Sequence, residues 1–265
     1  MDDDLAFALE LTDLADSITM ARFGAPDLIV ESKRDESPVT DVDREVERVL
    51  RGQIEAARPG DAVVGEELGA RGEAASRWVI DPIDATKNYV RGIPVFATLI
   101  ALQVDGVGKT AVISAPALGR RWWAARGAGA YVGRPTDTAG KRIRVSRVER
   151  LEDAQVCYSS LRTWEDAGTG DRLLELQRRA WRTRGFGDFW MHCLVAEGAA
   201  DVAVEAAVSL WDLAAIQVLV EEAGGRFTDL GGRATPDGGS AVSSNALLHD
   251  EVLSIVSGPG ATGGP

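Results

Sequence analysis

Four short acidic stretches carry the residues of this chain best equipped for chemistry: TDVD at 40–43, GEE at 65–67, DPIDAT at 81–86 and WDLAA at 211–215. DPIDAT poses the sharpest problem. Asp81 and Asp84 lie between two apolar runs, Trp78–Ile80 and Val95–Leu102, that read as buried strands. Two like charges at the mouth of an apolar strand cannot both stay ionised without a cation beside them. Hard carboxylate oxygens suit Mg²⁺ or a similar ion. Thr86 follows at a helix start, where a hydroxyl can orient a water and the N–H groups of Ala85 and Thr86 can hold phosphate oxygens. Lys87 and Arg91 either meet that phosphate or are solvated surface cations. Taken singly, Asp43, Thr86 and Asp212 also read as helix caps, and Glu66 and Glu67 as a solvated loop.

Other chemistries are excluded by what the chain lacks. There are two histidines, His192 and His249, too few for a His-rich zinc site, and no G-x-S-x-G elbow for a serine hydrolase. Cys157 and Cys193 form no C-x-x-C and read as buried free thiols. A net charge of −12 argues against a nucleic-acid or anionic-membrane surface, but not against a small anionic substrate met by local cations. No apolar run reaches membrane-spanning length, and the acidic start MDDDLAF is unlike a signal peptide, so a cytoplasmic protein is expected.

The elements that must position these residues follow from periodicity. Helices are expected at 2–23 and at Asp41–Ala57, the second capped by Thr40 or Asp41, with residues 27–39 as loop. Strands are expected at about 62–67, 77–81, 95–105, 109–116, 120–126 and 130–133. The second half alternates strands near 142–146, 154–158, 182–184, 201–206, 226–229 and 241–243 with helices near 170–180, 188–199, 211–224 and 245–256. The expected division is 1–139, 140–257 and a disordered Gly/Pro-rich tail at 258–265. Segment 67–76, small and charged, suggests a mobile lid.

With the order TDVD, GEE, DPIDAT, WDLAA in place, and with GAGAY and EEAGGRFTDL, the chain resembles the inositol monophosphatase-like, metal-dependent phosphatases over about residues 5–256. One departure is visible: the family has Gly where Ala85 stands. The resemblance implies an α+β N-terminal part and an α/β C-terminal part in a layered αβαβα fold, a site between them, and a homodimer. It implies that Glu66, Asp81, Asp84, the carbonyl of Ile83 and Asp212 hold two or three Mg²⁺ ions. Asp43 and Thr86 would activate the attacking water, and Glu67 would assist through a third metal. A binding protein without turnover is the contrasting class, and it has no need of the whole acidic set.

Within the family, DATKNYVRGIPVFATLIAL and RTRGFGDFWMHCLVAEGAADVAVE resemble most the histidinol-phosphate phosphatases, which implies a role in histidine biosynthesis. Histidinol carries an amine and an imidazole, and an acidic, aromatic-edged pocket suits it. Asp188 and Glu205 are the candidate receptors, with Phe189 or Trp190 beside them. Ala85, Thr86, Lys87 and Arg184 are candidates for the phosphate. Glu205 reads equally as an exposed strand-end acid, and Arg184 as a subunit-interface residue. Inositol monophosphate or a broader range of sugar phosphates is the alternative substrate.

Overall fold

The computed structural model describes residues 3–33, 37–137 and 139–257; the expected tail at 258–265 lies outside them. The chain divides into two compact units, Met1–Lys141 and Arg142–Pro265.

The first unit runs α1 (Asp3–Arg22), β1 (Val30–Ser32), β2 (Pro38–Thr40), α2 (Asp41–Ala57), β3 (Ala62–Gly65), β4 (Gly69–Arg71), β5 (Ser76–Asp84), α3 (Thr86–Val90), β6 (Ala97–Val104), β7 (Val107–Ala115), β8 (Arg120–Ala125) and β9 (Gly129–Gly133), and β10 (Lys141–Ile143) straddles the boundary. Its main sheet has eight strands in the order β10-β9-β8-β7-β6-β5-β3-β4. The β3–β5 pair is parallel; β3–β4 and the β5-to-β9 ladders are antiparallel. Helix period and strand period meet in one core. Leu5, Ala8, Leu11 and Ala15 of α1 and Val42, Val46, Leu50 and Ile54 of α2 pack with Trp78, Ile80, Ile100, Leu102 and Val112 of the sheet. Residues 27–39 were expected as loop; they contain β1 and the first two residues of β2, an antiparallel pair. The 67–76 segment contains the sheet's edge strand β4. It is held to α2 by the Arg71–Glu55 ion pair and by the Arg51 guanidinium donating to the Gly69 carbonyl.

The second unit runs β11 (Gln155–Tyr158), α4 (Leu161–Asp166), α5 (Gly170–Arg179), β12 (Arg182–Arg184), α6 (Asp188–Ala196), β13 (Val202–Glu205), α7 (Leu210–Glu222), β14 (Arg226–Thr228), β15 (Ala241–Ser244) and α8 (His249–Val256). The strand order is β12-β11-β13-β15-β14. Strands β12, β11 and β13 run parallel, so Arg184, Tyr158 and Glu205 lie at the same carboxyl-terminal end of the sheet. That end is where open α/β sheets present ligand-binding residues. Cys157 and Cys193 are both buried and free, and burial pushes the Cys157 thiol up to about 11. Among the described residues no helix is long and apolar enough to cross a membrane.

Candidate active site

In the first unit, three local devices bring the acids together. The first is the start of α2. Thr40 is its N-cap, its Oγ1 accepting from the Val42 and Asp43 N–H groups, and Asp43 Oδ2 in return accepts from the Thr40 N–H at 2.9 Å and from its hydroxyl. Asp43 is therefore a cap, as its residue type allows, but a fully buried one. Burial raises its carboxyl to about 6 against the Thr40 hydrogen bonds, and the Glu66 charge adds to the rise.

The second device is a β-bulge in β5. Asp81 pairs with Leu99 and Asp84 with Ala97 of β6, so two residues, Pro82 and Ile83, face the single Thr98. Residues three apart on a regular strand point to opposite faces; one inserted residue turns them to the same face. Asp81 and Asp84 thus present carboxylate oxygens within 4.8 Å of one another, both buried. Thr98 donates its hydroxyl to the Pro82 carbonyl at 2.8 Å, satisfying a group freed from the ladder.

The third device holds the GEE turn. Glu47, one helical turn beyond Asp43, is wholly buried. It accepts from the Glu67 N–H at 2.7 Å, the Leu68 N–H at 3.1 Å and Arg51 Nε at 2.7 Å. A Cβ on Gly65 would lie 2.2 Å from Glu47 Oε1, so this glycine is there to admit the carboxylate. The turn carries Glu66 and Glu67 to Lys33, whose ammonium donates to one oxygen of each at 2.6 Å. Burial alone would lower the Lys33 pKa; the two carboxylates outweigh it and raise it. Burial pushes Glu67 up to about 7 against the Lys33 hydrogen bond, and the Glu66 and Asp43 charges push the same way.

Thr86 links these groups. Its hydroxyl donates to the Ile83 carbonyl at 3.0 Å and lies 3.4 Å from Asp43 Oδ1. Ala85, just before it, has φ 66° and ψ 45°, in the left-handed region. The sequence left open whether this backbone is helical; it is not, and the residue type carries a steric cost there. Lys87 and Arg91 are exposed.

In the second unit, Asp212 is the third residue of α7, and its Oδ2 accepts from the Ser209 N–H at 2.7 Å in a capping box. Asp188 begins α6 with φ 49° and is half-buried; Arg184 is exposed and donates to the Thr183 carbonyl. Glu205 is buried at the end of β13, which overturns the reading of an exposed strand-end acid. Phe189 is buried and Trp190 half-buried, its ring 5.0 Å from that of Phe186.

Sequence reasoning passed over Lys33, Glu47 and His192. Glu47 was within reach, since its spacing of four from Asp43 places it on the buried face of α2. Lys33 and His192 are single polar residues whose neighbours in sequence give no sign of their partners.

Carboxylate, carbonyl and hydroxyl oxygens of this kind suit a hard cation. The chain belongs to the inositol monophosphatase family, whose sequence profile matches residues 1–258. It is 54% identical over 253 residues to a histidinol-phosphatase of Mycobacterium tuberculosis, covering 95% of this chain and 96% of that protein. It is 52% identical over 255 residues to a histidinol-phosphatase of Streptomyces coelicolor, covering 95% and 96%. An inositol monophosphatase structure from Thermotoga maritima superposes with a TM-score of 0.84 at 32% identity, covering 96% of each chain.

Proposed function

We propose that this protein is a histidinol-phosphatase, converting L-histidinol phosphate and water to L-histidinol and phosphate in histidine biosynthesis. The observation that carries this reading is the identity of 52–54% to two histidinol-phosphatases over nearly the whole chain. The bulged DPIDAT strand and the GEE turn supply the chemistry it needs.

The family is metal-dependent, and the residues present fit a hard cation: every donor is an oxygen, and Glu66 and Glu67 already close on the positive charge of Lys33. We assign Glu66, Asp81, Asp84, the Ile83 carbonyl and Asp212 as the residues that hold two or three Mg²⁺ ions, with Glu67 assisting at the third. When bound, these ions neutralise phosphoryl oxygens and lower the pKa of a water. The chain's own part is positioning and proton transfer. Asp43, with a carboxyl near 6, is poised to take a proton at Oδ1 from a water that the Thr86 hydroxyl orients. The new P–O bond forms from that water as the bond to the histidinol oxygen breaks, and the departing oxygen gains a proton. The Ala85 and Thr86 N–H groups with Lys87 and Arg184 serve the phosphate, and Asp188 and Glu205 the cationic end of histidinol. The protein acts as a cytoplasmic homodimer on a small phosphate ester, without nucleic acid or membrane.

The test is phosphate release from histidinol phosphate, inositol 1-phosphate, fructose 1,6-bisphosphate and 3′-phosphoadenosine 5′-phosphate, each with Mg²⁺ and with EDTA. A strong Mg²⁺-dependent preference for histidinol phosphate is expected. Equal rates on inositol phosphate would make this a broader phosphatase, and silence on all four would favour a binding protein.

A further inference from the structure

Glu205 ends β13 inside the second unit, with its side chain only 7% exposed. A carboxylate so placed needs a donor. The donor is His192 of α6, itself 1% exposed, whose Nε2 lies 3.1 Å from Glu205 Oε2. The other ring nitrogen, Nδ1, lies 2.7 Å from Ser243 Oγ on β15. Strand register explains the line-up. Ser243 pairs with Ala203, and Ala203 and Glu205 are two apart on β13, so all three share the sheet face that α6 covers. Ala203, buried with Met191 and Val195 of α6, presents only a methyl between the two polar residues, which leaves room for the ring.

A carboxylate oxygen accepts, so the tautomer with the proton on Nε2 donates to Glu205, and the hydroxyl of Ser243 can either donate to Nδ1 or accept from it. Serine, histidine and glutamate in a row do not make a nucleophilic triad here, because Ser243 is wholly buried and its oxygen meets no incoming ester. What the row does is hold one oxygen of Glu205 and so set the plane of the whole carboxylate. Its other oxygen, Oε1, is then held at the carboxyl-terminal end of the parallel strands, seven residues before Asp212 in sequence.

We propose that His192, itself oriented by Ser243, is a positioning residue that presents Glu205 as a fixed anionic receptor for the ammonium-bearing part of the substrate, and that this pair sets a preference for phosphate esters of amino alcohols over esters of neutral polyols. The proposal rests on the histidinol-phosphatase reading in placing the substrate at Glu205. An oriented carboxylate gains more from a cation than a swinging one, because less side-chain freedom is lost on binding. A neutral polyol gains little from the charge.

The experiment uses the full chain with saturating Mg²⁺ and three variants, His192→Leu, His192→Gln and Ser243→Ala. Histidinol phosphate is the cationic ester and β-glycerol phosphate the neutral one. For His192→Leu, KM for histidinol phosphate is expected to rise by up to about tenfold, the cost of ordering a freed Glu205 side chain on binding, with kcat little changed. KM for β-glycerol phosphate is expected to stay within about twofold, well under that tenfold. His192→Gln restores a donor toward Glu205 and should recover most of the loss, which a purely packing role for the ring would not produce. Ser243→Ala, a smaller change that keeps the ring, should show the same selective KM effect at lower amplitude and stands in if His192→Leu does not fold. Isothermal titration with histidinol itself, which has no phosphate, should weaken in parallel. Equal losses on both esters, or an unchanged KM for histidinol phosphate, would overturn the proposal. Wild-type inactivity on histidinol phosphate would instead overturn the functional reading, and histidinol titration would still separate wild type from His192→Leu if the receptor exists.

Discussion

Asp43 offers the most direct quantitative test of the site. Its carboxyl stands near 6 in the folded chain against an ordinary value of 3.8, because it is buried beside the Glu66 charge. A raised folded pKa means that the native state binds the proton more tightly than the unfolded state. The stabilisation is therefore complete below about 3.8 and is lost as pH rises through about 6. The whole difference corresponds to about 3 kcal/mol. About 1.4 kcal/mol of it disappears between pH 5.0 and 7.5, by the same linkage. Glu67, pushed up to about 7, works in the same direction. Asp43→Asn removes the ionisation and keeps an oxygen for the Thr40 donors, so the mutant isolates the effect. The assay is thermal unfolding in EDTA of wild type and Asp43→Asn at the two pH values. Relative to the mutant, wild type should lose about 3–6 °C in Tm on going from pH 5.0 to 7.5, at about 2–4 °C per kcal/mol for a chain of this size. Mg²⁺ should restore more stability to wild type at pH 7.5 than at 5.0. Parallel Tm values for the two proteins across this range would refute the reasoning, since the buried charge would then cost nothing.

Asp84→Asn is expected to abolish turnover while the Tm in EDTA stays within a few degrees of wild type; normal kcat would sink the metal assignment. Ala85→Gly should keep or raise activity and leave Tm level or slightly higher, because the left-handed backbone costs an L-residue about 1–2 kcal/mol and glycine little. Ala85→Val at the same position should destabilise, and a large activity loss in the glycine variant would mean that the Ala85 methyl has a role of its own. Glu47→Gln leaves one of the two N–H groups of the GEE turn facing another donor. It should cost about 1–3 kcal/mol in urea unfolding and raise the Mg²⁺ concentration for half-maximal activity. An unchanged metal requirement would show that Glu47 does not hold the turn.

The sequence made the acidic set and most of the elements legible because both are written in short-range signals. Thr40 before an amphipathic run is a helix start, and the apolar strands flanking DPIDAT are continuous enough to recognise. What stayed hidden depends on distant partners. β1, β2 and β4 are three residues each and exist because a neighbouring strand pairs with them. The bulge that turns Asp81 and Asp84 to one face is a mismatch with β6 and has no mark in β5 alone. Ala85 gave no hint of its left-handed conformation, since glycine is the residue that usually signals it. Lys33 and His192 are partners of Glu66 and Glu205 across 33 and 13 residues, a relation that no periodicity encodes.

Glu47 and Asp43 show how one helix gives the same chemical group two opposite tasks. Both carboxylates are wholly buried, one turn apart on α2. Glu47 is surrounded by donors: a guanidinium and two backbone N–H groups take up its oxygens, so it is spent on holding the GEE turn. Asp43 has both Thr40 donors on Oδ2, while among the described residues Oδ1 meets the Thr86 hydroxyl, at the long distance of 3.4 Å. Burial raises the proton affinity of this carboxyl against the Thr40 hydrogen bonds, and the nearby Glu66 charge raises it further. Partners separate the two roles: the oxygens of Glu47 are taken up in holding the turn, while burial raises the Asp43 carboxyl and leaves Oδ1 turned toward Thr86. In the apo protein the positive charge of Lys33 lies between Glu66 and Glu67. A cation arriving at Glu66 must displace or share that ammonium, so metal affinity and apo stability should change in opposite directions when Lys33 is replaced by methionine. Titration of Mg²⁺ into Lys33→Met, alongside its Tm in EDTA, measures both; a variant that loses metal affinity as well as stability would show Lys33 to be a support of the metal site and not its competitor.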